Sequence, residues 1–371
     1  MTAQTARHMA EAAMTLLESL DSDQRGVACK PFPGDEERRL WFYTPTDHGG
    51  LPLAAMTAAQ HRNVHRLVAS GLSEAGYVTA AAIIGLENIL DHVDDWKAKL
   101  NRERGRDPLL YYITIFGEPG SDDLWAWRFG GHHVSLHFMI AAGEVVASTP
   151  NFFGADPADA PLLGPHLHRP LAAIEDLGRE LFHTFDAEKR SKALLSSVAP
   201  YDLVSGNRSK ISAGDFTKSM LDIMRGQPAG EYRDRLIELQ AKLDVTSSLT
   251  MEERDALTLT SVPKGIPTTA LNAGEMELLR ELISCYVNRL PDDLADRQAA
   301  LVTQEFEKLS FVWAGSGNKG EPHYYRIQGE RLFIEYDNTQ RGGNHIHAVW
   351  RDLANDFGGD VLARHYAEAP H

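Results

Sequence analysis

The chain has 371 residues, 43% hydrophobic and 24% charged, a globular composition with ample apolar material for a core. Its formal net charge of −15 argues against a general affinity for nucleic acid or anionic membrane surfaces. The two cysteines, Cys29 and Cys285, belong to no CxxC or Cys/His spacing, which excludes a disulfide framework and a zinc finger as organising devices.

Residues 3–25 place Met9, Ala13, Leu16, Leu17 and Leu20 at helical spacing, with a break at Asp21-Ser-Asp23. Glu37–Tyr43 alternates and predicts a short strand, closed by Pro45 and Gly49-Gly50. Helices are expected over Thr57–Glu74 and Val78–Leu100, separated by Gly76. The period then changes. Leu109–Phe116, Leu124–Phe129, His132–Ala141 and Glu144–Ser148 are rich in aromatic and β-branched residues and predict antiparallel strands, with a tight hairpin at Ala142-Gly143.

Helix returns over Pro170–Leu195. Residues 196–267 are polar and broken by Gly and Pro, with one good helix at Glu231–Leu243. They read as an excursion or lid, because their apolar content is too small for a separate core. Helices at Ala273–Leu290 and Pro291–Leu309 precede strands at Phe311–Ala314, His323–Gln328, Arg331–Tyr336 and His345–Val349, and a last short helix is expected over Gly359–Tyr366. Strands in both halves separated by helices predict one α+β domain over 1–371, its antiparallel sheet built from both halves and packed with helices. No internal repeat or low-complexity tract is evident. No apolar stretch approaches the ~20 residues of a membrane helix, and the N-terminus has no secretory h-region, so a cytoplasmic protein is expected.

Two segments carry chemistry. In the first, Arg128-Phe-Gly-Gly-His-His-Val-Ser-Leu-His137, a strand over His132–Ile140 would put His133, Ser135 and His137 on one face. His133 and His137 would then stand roughly 13 Å apart, too far for one ion to hold both. His132, on the apolar face, reads as structural. In the second segment, His345 and His347 share a face at roughly 6–7 Å, beside Glu335 and Asp337 on the preceding strand. Neutral imidazoles with a nearby carboxylate suit a divalent transition metal, Zn, Fe, Mn or Cu. The expected ligands are His133, His345, His347 and Glu335. Asp337 or Asp352 would serve as general base or orient a histidine, and Arg128 or Arg351 would anchor an anionic group of a small-molecule substrate. GxSxG, GxxxxGK[ST], GxGxxG after a strand and HExxH are all absent.

Gly131-His-His-Val-Ser-Leu-His137, Thr149-Pro-Asn-Phe-Phe-Gly154, Tyr324-Tyr-Arg-Ile-Gln-Gly329, Glu335-Tyr-Asp-Asn338, Asn344-His-Ile-His-Ala-Val-Trp-Arg-Asp352 and Asp356-Phe-Gly358 together resemble a bacterial and fungal family catalogued as domain of unknown function thirty-five hundred. The resemblance runs from Trp41 onward, implies one family-wide domain, and supports treating the two histidine blocks as a unit. It carries no reaction. The expected function is a metal-dependent enzyme acting on a small organic substrate by hydrolytic or lyase chemistry. The alternatives are an Fe- or Cu-dependent oxidoreductase at the same histidines and a non-enzymatic binding protein with structural histidines.

Overall fold

The computed structural model describes residues 2–98, 105–121 and 124–359, so the helix expected at 359–366 lies almost wholly outside the described residues. Its eight long strands are β1 (Tyr111–Phe116), β2 (Trp125–Gly131), β3 (Val134–Ala141), β4 (Asn151–Ala155), β5 (Ser310–Gly315), β6 (His323–Gln328), β7 (Leu332–Asn338) and β8 (Ile346–Asp352). They lie in the order β1-β2-β3-β4-β8-β7-β6-β5 within a mostly antiparallel 13-stranded sheet, so both halves of the chain share one α+β layer. The seam is β4 against β8, running from Asn151 opposite Trp350 to Ala155 opposite Ile346.

The sequence shows no repeat, yet the fold is duplicated. In the first half, helices Ala3–Ser19 and Ser22–Ala28 lead into a short strand, Cys29–Lys30, parallel to β1. In the second, helices Ala172–Thr184 and Ala187–Ala193 lead into Leu194–Ser196, parallel to β5. Each half next adds an antiparallel edge pair (Leu51–Pro52 on β1, Ile266–Pro267 on β5) and a 3-10 turn. Two helices follow, Ala58–Ser70 and Glu74–Val93 in one half, Ala273–Val287 and Asp292–Glu305 in the other. Four long strands complete each half, β1–β4 and β5–β8, with an extra short strand, Glu144–Ala147, paired to β3 in the first. Capping boxes recur at matching places, Thr57 with Gln60 and Asn272 with Glu275. The N3 side chain in turn meets the short helix beside it, through Gln60 and Gln24 in one half and Glu275 and Lys189 in the other. The same geometry is held by an amide pair in one half and an ion pair in the other, so little sequence likeness survives.

Strand alternation divides the sheet into two faces. Ile334, Tyr336, Ala348, Trp350 and Phe153 belong to the main core beneath the helices. Phe333, Val349 and Phe152 face the other way. That second face is covered by residues 31–50 and by the 197–265 excursion, which adds Leu203, Met220, Ile223 and Met224 around Trp41, Tyr43 and Phe152, and Val204, Phe216, Leu257 and Leu259 around Tyr324 and Phe333. Each such side chain contributes about 1.5–3 kcal/mol of burial, which makes the excursion a packed layer. No helix among the described residues is long and apolar enough to cross a membrane.

Several local expectations fail: Gly76 lies inside the helix Glu74–Val93 rather than between helices, and the helix expected over Pro170–Leu195 is two helices ending in a short strand. Glu37–Tyr43 forms no strand; a short helix, Asp35–Arg38, is followed by irregular chain. Its aromatic alternation serves burial instead, since Trp41 and Tyr43 are both about 1% exposed on the sheet face. His132 and His133 are not on a strand face either. Gly131 pairs with Val134, so the two histidines form the turn between β2 and β3, and His133 takes a left-handed φ of 71°.

Candidate metal centre

The β2–β3 turn is held in place from both sides of the backbone. The His133 N–H donates to the Tyr43 carbonyl (3.3 Å), and the Gly154 N–H donates to the His133 carbonyl (2.8 Å). The chain enters β8 through a run of left-handed residues, Arg341, Gly342 and Gly343. The His345 N–H then donates to Asn338 Oδ1 (2.9 Å). His347, on β8, stands opposite Asp337 on β7. Two turns and a strand end from opposite halves of the chain thus converge at one end of the seam.

Four imidazoles meet there. His133 Nε2 lies 2.8 Å from His345 Nε2, across 212 residues of sequence. His132 stacks on His133 with centroids 3.7 Å apart, and His345 and His347 lie edge to face at 4.5 Å. Two of the rings have a carboxylate hydrogen-bonded at Nδ1, Glu87 on His132 and Asp202 Oδ1 on His347 at 2.8 Å; Asp156 Oδ2 stands 3.6 Å from His345 Nδ1, an electrostatic neighbour beyond hydrogen-bond distance. A carboxylate at Nδ1 holds the proton there and leaves the Nε2 lone pair available, which is the arrangement found behind metal-ligating histidines.

Two groups of residues each bring their own ligating atoms within 4.8 Å of one another: His132, His133 and His345 in one, and Asp202, Asp337 and His347 in the other. Burial, reinforced by the neighbouring histidines and Arg106, pushes His133 well below the ordinary imidazole value. Burial, His347, Arg341 and Arg106 do the same to His345. Both rings are therefore neutral ligands in waiting. In the second group, Tyr43 donates to Asp202 Oδ2 (2.9 Å), and Thr339 donates to Asp337 Oδ1 (3.0 Å). Asp337 Oδ2 is buried with no hydrogen-bond partner among the described residues. Burial, and then the charge of Asp202, pushes Asp337 well above the carboxylate range. His345 is the more open member of the imidazole group. Beside it, Arg341 bridges Asp156 (2.9 Å) and Asp94 (3.0 Å), and Arg106 also pairs with Asp94 (3.0 Å). Burial raises Asp156 to about 6, against the lowering pull of Arg341 and Arg106.

The residues singled out from sequence divide clearly. His133, His345, His347 and Asp337 come together. Glu335 does not join them: it accepts from the Val204 and Ser205 N–H groups (3.0 and 2.9 Å) and from the Tyr324 hydroxyl (2.6 Å), which anchors the excursion. Asp352 pairs with Arg331 and accepts from the Ala354 and Asn355 N–H groups. Arg128 is buried on Glu37 and the carbonyls of Leu40 and His48, and Arg351 on Asp356 and the carbonyls of Arg208 and Ser209, so neither guanidinium is directed at the imidazoles. His137 bonds to Ser135 Oγ (3.1 Å). Glu87, Asp156 and Asp202 were not readable as site residues; each is a lone carboxylate in a helix or an irregular segment. His132 is brought in by the turn.

A family model described as "Protein of unknown function (DUF3500)" matches residues 2–359. No curated protein and no solved structure matches the chain.

Proposed function

The chain belongs to this family of unknown function, and on that footing we propose that it is a metal-dependent enzyme acting on a small organic substrate. The observation that carries the reading is the approach of two buried, neutral imidazoles from opposite halves of the fold, nitrogen to nitrogen at 2.8 Å. At this distance the two nitrogens are joined by one hydrogen bond, and a divalent cation would displace that proton and take both lone pairs, the nitrogens moving slightly apart to receive it. With His132 alongside, the donor set is three imidazoles, which suits Zn, Fe or Cu better than Mg or Ca. An ion held there would polarise a substrate oxygen or bring the pKa of a bound water to about 7.

The chain's own residues supply the rest. Asp156 and Glu87 orient His345 and His132. Asp202 orients His347, and Asp337, with one oxygen open, is the acid/base of that group so long as no cation occupies it. Arg341, more than a third exposed at the open edge, is better placed than Arg128 or Arg351 to receive an anionic substrate group. This favours hydrolytic or lyase chemistry. Oxygen-activating chemistry at Fe or Cu is the second reading, because an all-imidazole set serves it equally well.

The test is elemental analysis by plasma mass spectrometry on untagged protein purified without added metal, beside His133→Ala/His345→Ala. Near-stoichiometric Zn lost in the variant supports the hydrolytic reading, and Fe or Cu lost in the variant supports oxygen chemistry. Protein that is metal-free and takes up no added divalent ion ends the metal reading.

A further inference from the structure

The second group of ligating atoms raises its own question. Asp202 and Asp337 reach it from different layers, Asp202 from the excursion and Asp337 from β7, and they are about 1% and 0% exposed. Their carboxylate oxygens and a nitrogen of His347 lie within 4.8 Å of one another. A buried carboxylate pair with no cation beside it is strongly unfavourable, since each charge loses water and repels the other. Among the described residues, the two arginines closest to β8 in sequence are engaged elsewhere: Arg341 holds Asp94 and Asp156, and Arg351 holds Asp356. Asp202 is satisfied by His347, Tyr43 and the Leu203 N–H. Asp337 is not. Its Oδ2, completely enclosed, has no donor among the described residues.

We propose that Asp202, Asp337 and His347 form a second divalent-cation site, directly beside the imidazole site, so that the protein carries a two-cation centre of unequal halves. The first half is all nitrogen (His132, His133, His345). The second is two oxygens and one nitrogen, a harder donor set that suits Mn2+, Fe2+ or Zn2+. The halves are neighbours because His347 lies 4.5 Å from His345 and 5.4 Å from His133, measured between ring centroids. In the metal-free protein the 2.8 Å contact between His347 Nδ1 and Asp202 Oδ1 is a hydrogen bond, which holds the ring beside the carboxylate pair. The inference rests on the metal reading of the imidazole cluster for its setting, but its ligands are separate. It narrows the substrate to one offering an anionic or carbonyl oxygen that two cations can share, such as a carboxylate or phosphate ester.

Apoprotein prepared by chelator dialysis is titrated with Zn2+ and with Mn2+ by calorimetry, and bound metal is counted after gel filtration. The wild-type chain should hold two ions. Asp202→Asn/Asp337→Asn, which changes little volume, should hold one, and His133→Ala/His345→Ala should hold the other. One ion in the wild type, kept by the Asp variant and lost from the His variant, overturns the second site and leaves the proposed function standing. One ion lost from the Asp variant alone overturns the imidazole site and keeps this one, and none in the wild type overturns both. Should the Asp variant fail to fold, Mn2+-loaded wild-type protein decides by paramagnetic resonance. An exchange-coupled spectrum supports the pair, and an isolated six-line signal overturns it.

Discussion

Gly154 has no room for a side chain. An ideal Cβ there would lie 2.7 Å from the Ile346 carbonyl oxygen and 2.8 Å from His133 Cδ2, so alanine must displace the ring that faces His345 or the strand that carries it. Overpacking of this kind costs about 1–3 kcal/mol. If the strain falls on the ligand, Gly154→Ala should weaken metal binding roughly tenfold to a hundredfold, measured by competition with a chromophoric chelator. Unchanged affinity would mean that His133 does not hold the ion. Asp156→Asn tests the same site from behind: it removes the charge near His345 Nδ1 and should lower affinity by about 10–100-fold with little change in stoichiometry. At this scale the sequence was partly legible. His133, His345 and His347 could be found because each block follows Gly-Gly and one lies near carboxylates. Asp202 could not, because nothing in Pro200-Tyr-Asp-Leu-Val204 marks where an irregular segment will bring its carboxylate.

The element that most needs explaining is the excursion, since it delivers Asp202. Its attachment runs through Glu335, whose carboxylate takes the backbone N–H groups of Val204 and Ser205, two and three residues after Asp202. Glu335→Gln would set an amide NH2 against one of those donors. Hydrogen bonds to a charged group contribute about 1.5–3 kcal/mol each, so the variant should melt earlier and be cut faster by protease within 197–265. It should keep the ion at the imidazoles, and loss of that ion would restore Glu335 as a ligand. The long, strongly patterned strands β1, β2, β5, β6 and β7 were legible from alternation and turns. The central strand β4 was not, because Asn151-Phe-Phe-Gly-Ala155 is buried on both faces and gives no alternation. Residues 37–43 erred the other way, with aromatic residues at strand spacing in a segment that pairs with nothing. The duplication escaped for a third reason: capping, edge pairing and strand order fix the repeat, and each tolerates different side chains in the two halves.

Over the whole molecule, the centre lies where the two halves join, with His133 supplied by one and His345 and His347 by the other, so global stability and site integrity are coupled. Buried titrating groups make that stability pH-dependent, with contributions of opposite sign. His133, His345 and His323 have folded pKa values below that of the unfolded chain. Below about 6.5 the unfolded chain binds protons that the folded protein does not, so stability present above that pH is lost as pH falls. Asp156, raised to about 6, works in the opposite direction: it costs stability at neutral pH and returns it as pH falls toward its unfolded value of 3.8. Asp337, raised well above the same value, acts with it. The net acid response is therefore shallower than the histidines alone would give, and one histidine must be isolated to see its share. His323 suits this because it lies outside the centre, stacked between Trp313 and Tyr336, with Nδ1 donating to the Glu321 carbonyl and Nε2 without a partner among the described residues. Burial pushes it down to about 4. The gap from 6.5 corresponds to about 3 kcal/mol lost by pH 4. Denaturant unfolding of wild type and His323→Gln from pH 7.5 to 4 should show the wild type losing about 3 kcal/mol more than the variant, with the aspartate contributions cancelling in the difference. Parallel stability profiles would mean that water reaches His323 and that its neighbours do not enforce the neutral ring.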